Sequence, residues 1–465
     1  MGKLAKILSL AMAGCMLASV AAGCTKTDDT SKPDDTSSTA STTEVKEIYF
    51  LNFKPENGDK YKAIATKYEE ETGIKVKVET AAEGKYEETL TAEVDKSNPP
   101  TIFQINGPVG YSNWKEYCAD LKDTKLYDLL NDKSLAVTGA NGEVVGVPYT
   151  VEGYGIIYNN AIFDKYFASD KKTSAIKSVD EINNFAKLKE VVEDMTKIKA
   201  DLGIDGVFAS TSLKPGEDWR WQTHLANLPF YYEFKGTEST ITKALDAKTI
   251  EFKYAENFKN IFDLYTNNST TAKNLLGSKT VDDSMAEIAL GKAAMVQNGF
   301  WGWGQIDGVE GNTVKAEDIK FLPIYTGVDG EESQGLCIGT ENYFAINSQV
   351  DEATQKASAD FLEWLFTSEY GKDQAINQLD LNPPFTSFGA NETPSNPLAK
   401  EMLAWMAKDG VTSVEWTFNG FPSQTWKDNL GAGLLSYVQD QKTWDELVTA
   451  TIEDWKVERE KAAVE

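Results

Sequence analysis

The chain has 465 residues, enough for two domains, and its 41% hydrophobic and 11% aromatic content can fill real cores. A formal charge of −26 argues against nucleic acid and anionic lipid as partners, since both demand a basic face. The lone histidine, His224, leaves little room for a His-based hydrolytic triad or zinc site, and reads as a packing or hydrogen-bonding residue.

In chain order, Lys3 and Lys6 precede an apolar run, Ile7 to Val20, that is too short and too small-residue-rich for a membrane span. Ala21-Ala22-Gly23 follows as a cleavage site, so residues 1–23 read as an export signal. Cys24 then fits a bacterial lipoprotein signal, in which the thiol takes a diacylglycerol; Cys15 is the weaker candidate. Residues 24–45 are almost all Ser, Thr, Asp and Lys, a composition that stays disordered and reads as a tether. The body is therefore expected on the outer face of the cell membrane, held there by lipid alone. Cys118 and Cys337 are expected as two buried thiols, because a body of this size needs no disulfide.

Glu47 to Phe53 alternates as a first strand, and Asp59 to Thr72 carries Tyr61, Ile64, Ala65 and Tyr68 at helical spacing before Gly73. Ile74 to Val78 is a second strand, Tyr86 to Asp95 a helix, and Thr101 to Ile105 a third strand. This β-α-β-α-β order implies a parallel sheet with helical crossovers, the doubly wound α/β class, whose ligands bind beyond the strand carboxyl ends. Val144 to Asn160 holds two β-rich segments, Val191 to Lys199 a helix, and Gly206 to Ser210 a strand. From Val281 a helix leads to the strand AAMVQN and a loop with two tryptophans; YFAIN (343–347) is a strand before an amphipathic helix with Phe361 and Leu365. From Pro394 the chain reads as mostly helical.

Catalytic motifs are missing: there is no G-x-S-x-G, no Walker loop, and no cysteine pair at metal-ligand spacing, so no metal or cofactor is expected. A glycosidase built on two carboxylates stays formally open among 72 acidic residues. Aromatics stand instead in polar, loop-like settings: Trp219-Arg220-Trp221-Gln222, Trp301 and Trp303, Trp416-Thr417-Phe418-Asn419, and Trp426. A stiff π-face beside Arg, Asn and Glu suits a sugar, whose axial C–H bonds stack on the ring while its hydroxyls need dense polar partners.

The chain resembles the substrate-binding lipoproteins of bacterial ABC importers for carbohydrates, the maltose-binding-protein-like family. KYEEETGIKVKVE (Lys67 to Glu79), NPPTIFQIN (Asn98 to Asn106), GVPYTVEGYGIIYNNAIFD (Gly146 to Asp164) and ALGKAAMVQNGFWGW (Ala289 to Trp303) carry the resemblance. It runs from Ile48 to about Trp455. It implies two α/β lobes joined by two or three crossings and closing like a hinged trap, with 46–153 plus 293–342 as N-lobe and 154–292 plus 343–465 as C-lobe. It also implies a monomer without catalysis that binds oligosaccharide and hands it to the permease.

Residue by residue, the resemblance implies sugar contacts from Asn52, Lys54 and Glu56 after the first strand, and from Gln104 and Asn106 after the third. It places Glu152 at the hinge, Trp219, Trp221 and Arg220 on the C-lobe, Trp301 as the main stacking face, Trp303 beside it, and Trp416 and Trp426 closing the site. The first loop, NFKPENGD, departs from the maltodextrin binders and weakens maltose as the ligand. A receptor of the same fold for peptide or polyamine is the alternative. An iron receptor is disfavoured by the single histidine.

Overall fold

The first strand alternates between two apolar faces, and both are covered. In the computed structural model, which describes residues 45–389 and 392–462, Ile48 and Phe50 enter one core with Tyr61, Ile64 and Tyr68. Tyr49 and Leu51 enter another with Tyr86 and Leu90. A strand apolar on both sides belongs inside a sheet with helices on each face. The export signal, Cys24 and the tether up to Glu44 lie outside the described residues.

Among the described residues the strands are β1 (Glu47–Asn52), β2 (Lys75–Thr80), β3 (Ile102–Asn106), β4 (Val137–Thr138), β5 (Val144–Pro148), β6 (Glu152–Asn159), β7 (Gly206–Phe208), β8 (Ala293–Gly299), β9 (Ile319–Leu322), β10 (Gln334–Gly339), β11 (Asn342–Ile346) and β12 (Thr412–Glu415). The first sheet runs β2-β1-β3-β11-β5-β4, and the second β12-β10-β6-β8-β7 with β9 also on β6. β1 pairs parallel with β2 and β3, as the opening β-α-β-α-β pattern requires. The helix Gly58–Thr72 ends where Gly73 takes φ 78°, a left-handed C-cap that returns its N–H to Glu69 O. β11 is antiparallel to β3 and to β5. The protein is thus a two-lobe α/β fold of the expected class.

The lobes draw on different stretches than expected. β8 pairs with β6 and β7, and β10 with β6 and β12, so residues 293–339 build the second sheet rather than the first. Conversely β11 lies in the first sheet, and the helix Glu352–Thr367 packs Phe361, Leu365 and Phe366 into the core of β1 and β3. Residues from Leu398 onward return to the second lobe. The expected exchange is therefore reversed for 293–339 and for 343 to about 388. A fully buried strand such as AAMVQNG fits the middle of either sheet, and nothing local in it records which one it joins.

The chain passes between sheets at Tyr149–Val151, from β5 to β6, and again at Thr340–Glu341, from β10 to β11. Close packing marks the second-lobe side of these passages. A Cβ on Gly153 would stand 2.6 Å from both Ile338 Cδ1 and Met402 Sδ. Overpacking of this kind costs about 1–3 kcal/mol, so Gly153→Ala is expected to lower the unfolding free energy by that amount, read as a lower denaturation midpoint. An unchanged midpoint would show that β6 gives way freely.

Cys118 and Cys337 are both free thiols, Cys337 buried and Cys118 half-buried.

Candidate functional site

β1 ends at Asn52, and the loop after it faces the second lobe. Asn52 is fully buried and spends its amide on that loop: Oδ1 accepts from Lys54 N (3.1 Å), and Nδ2 donates to Lys54 O (2.6 Å). Gln104 does the same from β3, accepting from Phe53 N (2.6 Å) and donating to Tyr149 Oη (2.7 Å). Both amides therefore aim the loop rather than meet a ligand directly. Asn106 closes β3 half-buried, in register with Asn342.

The loop delivers Lys54 to Glu152, the first residue of β6, at 2.7 Å; their side chains are 11% and 4% exposed. Burial alone would depress the Lys54 pKa, but the carboxylates of Glu152 and Glu56 outweigh it and hold the ammonium above its usual value. The same ammonium sits 5.6 Å from the Trp301 ring centroid, in cation–π range. A cleft of ≈ 260 Å³ opens here, walled by Lys54, Glu56, Lys60, Glu152, Trp301 and Asp380 together with Gly304 and Gln305. It lies beyond the carboxyl end of β1, where an α/β sheet places its ligand.

Trp301 is half-buried on the turn after β8. Its ring lies flat against Gly299, where any Cβ would collide with it, so the neighbouring glycine is what lets the indole settle at this angle. Trp303 instead packs partly on the core beneath the helix Val281–Ala289 and braces the turn.

Behind Trp301 lies an aromatic ring. Trp219 stands 6.1 Å from it and His224 5.6 Å, with His224 stacked on Tyr154 at 4.2 Å and near Trp416 at 6.1 Å. Trp219, Arg220 and His224 come from one turn, because Arg220–Leu225 is a π-helix that crowds its side chains. Arg220 is 1% exposed, its guanidinium 3.7 Å over the Trp219 ring. Burial pushes its pKa down to about 9, against the carboxylates of Glu83, Glu217 and Glu56. Burial likewise holds His224 well below its usual value, helped by Arg220, Lys427 and Lys54, so the imidazole is neutral at pH 7.

The lobes meet across this ring. Trp219 Nε1 donates to Glu83 Oε1 (2.9 Å) on the loop after β2, and Asn419 approaches Gly107 beside the Thr340 passage.

Two expected tryptophans leave the site. Trp221 is 1% exposed, gives its indole N–H to Thr211 O (2.6 Å) and Ser212 O (2.7 Å), and packs edge-on against Phe262 and Tyr265. Trp426 donates to Thr451 O (3.0 Å) among Phe230, Phe421 and Trp455. Both are core anchors with satisfied donors, pointing away from the cleft. Trp416 is also buried, yet its Nε1 has no partner and its ring adjoins His224.

Other residues enter without having been singled out: Lys60, Asp380 and Gln305 on the cleft wall, Glu83 on the facing loop, and Tyr154 under His224. Asp380 adopts φ 54°, a left-handed conformation Asp tolerates, but no sequence motif marks it.

A family model described as "bacterial extracellular solute-binding protein" matches residues 63–402. No curated protein gives a significant match. Among solved structures, a chitin oligosaccharide binding protein superposes with TM-score 0.70 at 18% identity, covering 90% of this chain and 99% of that one. The GacH receptor of Streptomyces glaucescens, solved unliganded and with acarbose, gives 0.66 at 17% identity over 90% and 99%. The binding protein RafE in complex with raffinose gives 0.66 at 17% identity over 89% and 99%. At these identities the likeness speaks for the fold.

Proposed function

Since the chain belongs to the bacterial extracellular solute-binding proteins, we propose that it is an oligosaccharide receptor that delivers its ligand to an ABC transporter permease. The observation that carries this reading is the Trp301 face set beside the Lys54–Glu152 pair between two lobes. An indole face takes the C–H side of a pyranose, and the charged pair supplies donor and acceptor for its hydroxyls. Glu56, Lys60 and Asp380 extend that polar rim. The names of the neighbours, which bind chitin oligosaccharide, acarbose and raffinose, support a sugar of more than one ring.

The work is differential affinity rather than chemistry. A ligand that touches both lobes stabilises the form in which they meet, and that form presents a joint surface to the permease. A cleft of ≈ 260 Å³ is smaller than most ligand pockets, so an oligosaccharide enters when the lobes part. Cys24, acylated, would hold the receptor at the membrane through the tether.

A thermal-shift panel tests the reading. A ligand at about 100 times its Kd adds roughly 2.7 kcal/mol of stability, a clear rise in Tm. Chito-, malto-, xylo- and raffinose-type oligosaccharides are compared with peptides and polyamines. A rise with a peptide or polyamine and none with any sugar would sink the proposal.

A further inference from the structure

A buried guanidinium with two nitrogens lacking a hydrogen-bond partner is the least expected feature of the second lobe. Arg220 is 1% exposed, and neither Nε nor Nη1 has a hydrogen-bond partner. Each edge of the guanidinium that could hold a carboxylate by two bonds includes one of those nitrogens, so neither edge is in use. Arg220 stands at the junction of the lobes: the guanidinium lies over Trp219, whose indole N–H reaches Glu83 of the first lobe, and carboxylates of both lobes, Glu83 and Glu56 from the first and Glu217 and Asp282 from the second, act on the charge. Glu83 and Glu56 are both exposed, and Glu83 already accepts from Trp219.

Other polar atoms around the aromatic ring lack partners as well. Trp301 Nε1, His224 Nδ1 and Gln297 Oε1 are buried and unpaired. The Gln297 amide is oriented by its own bond, because Nε2 donates to Arg220 O at 2.6 Å. Obligate donors therefore outnumber obligate acceptors around the aromatic ring and the cleft: Arg220 Nε, Arg220 Nη1, Trp301 Nε1 and Trp416 Nε1 against Gln297 Oε1 and Gln305 Oε1, with the neutral His224 able to serve either way. A sugar hydroxyl that accepts from such a donor brings an O–H that needs an acceptor of its own. A carboxylate brings acceptors only, and it cancels the buried charge.

We propose that the oligosaccharide carries a uronic acid, whose carboxylate is held by Arg220 and Trp301 Nε1 behind the stacking face. This rests on the carbohydrate reading above and narrows it to acidic sugars. The net charge of −26 does not oppose it, because exposed charges are screened beyond about 10 Å at 0.1 M salt while the contact itself is buried.

Calorimetry on the mature protein with matched sugar pairs tests this. Trigalacturonate is set against its carboxyl-reduced galactose trimer, and a glucuronate-substituted xylo-oligosaccharide against the unsubstituted one. At least one acid is expected to bind about tenfold or more tighter than its neutral partner, the scale of one charge-assisted bidentate contact. Arg220→Gln is expected to remove that preference, and Arg220→Lys to restore part of it. The comparison in the unaltered protein stands even if Arg220→Gln fails to fold. Neutral sugars binding as tightly as their acids would overturn the uronate proposal and leave the carbohydrate reading intact. So would an acid preference that survives in folded Arg220→Gln. Silence from every sugar, acidic and neutral, would overturn both.

Discussion

Trp301→Ala is expected to weaken oligosaccharide binding on the order of 100-fold and leave the fold intact. Truncating a central interface tryptophan commonly costs 2 kcal/mol or more, and roughly 2.8 kcal/mol corresponds to that factor. The loss combines the stacking face, the cation–π contact with Lys54 at 5.6 Å, the tilted contact to Trp219 and the edge contact to His224. The fold tolerates the change because Trp301 is half-buried at a turn, whereas the second-lobe core is anchored by Trp221, Trp426 and Trp455. Trp303→Ala is the matched control: it should lower Tm and keep affinity within a few fold, since Trp303 braces the turn from the core side. Calorimetry decides, and wild-type affinity in folded Trp301→Ala would remove the indole from the site.

Lys54→Met should strike the form in which the lobes meet. It strands the Glu152 carboxylate, 4% exposed, without its ammonium, and breaking a buried pair by removing one partner costs about 3–5 kcal/mol. Because water reaches both groups once the lobes part, the cost falls on ligand affinity as well as on Tm. Lys54→Met combined with Glu152→Gln removes the stranded charge and should recover most of the lost Tm, though not the lost sugar contacts. If the double variant melts as low as the single one, the pair is not what holds this edge together. Measurement at neutral pH is safe. A raised lysine pKa means the contribution is fully present below the unfolded value near 10.4 and fades only as pH climbs through the folded one.

The opening lobe was the most legible part of the chain. Alternation in EIYFLN and KVKVET, with Tyr61, Ile64 and Tyr68 on one helix face, leaves little freedom for a parallel β-α-β unit, and the observed register follows it. The later strands are harder because they are short or buried on both sides. IKFL and TSVE each have only four residues, and AAMVQNG shows no alternation to assign it a face or a sheet.

The site was legible in its chemistry and less so in its geometry. Lys54, Glu56, Glu152 and Trp301 do line one cleft. Trp219 and Trp221 stand two residues apart in equally polar surroundings, yet the π-helix sends one to the contact with the first lobe and the other to the core. Trp426 follows Ser, Gln and Thr and looked like a loop residue, but Ser423 caps a helix there and turns the indole inward. His224 does pack, on Tyr154, but its unpaired Nδ1 beside Trp301 shows only in three dimensions.

The position of β11 bears on how such a chain matures. It lies between β3 and β5, and it is made after almost the whole of the second sheet has been synthesised. Until Asn342–Ile346 emerges, β3 and β5 have no common neighbour and the first sheet stays split down its middle. Contacts that span so much sequence form slowly. A polypeptide bound for the outside must remain threadable while it is translocated, and a keystone strand delivered late keeps the leading half of this one from closing early.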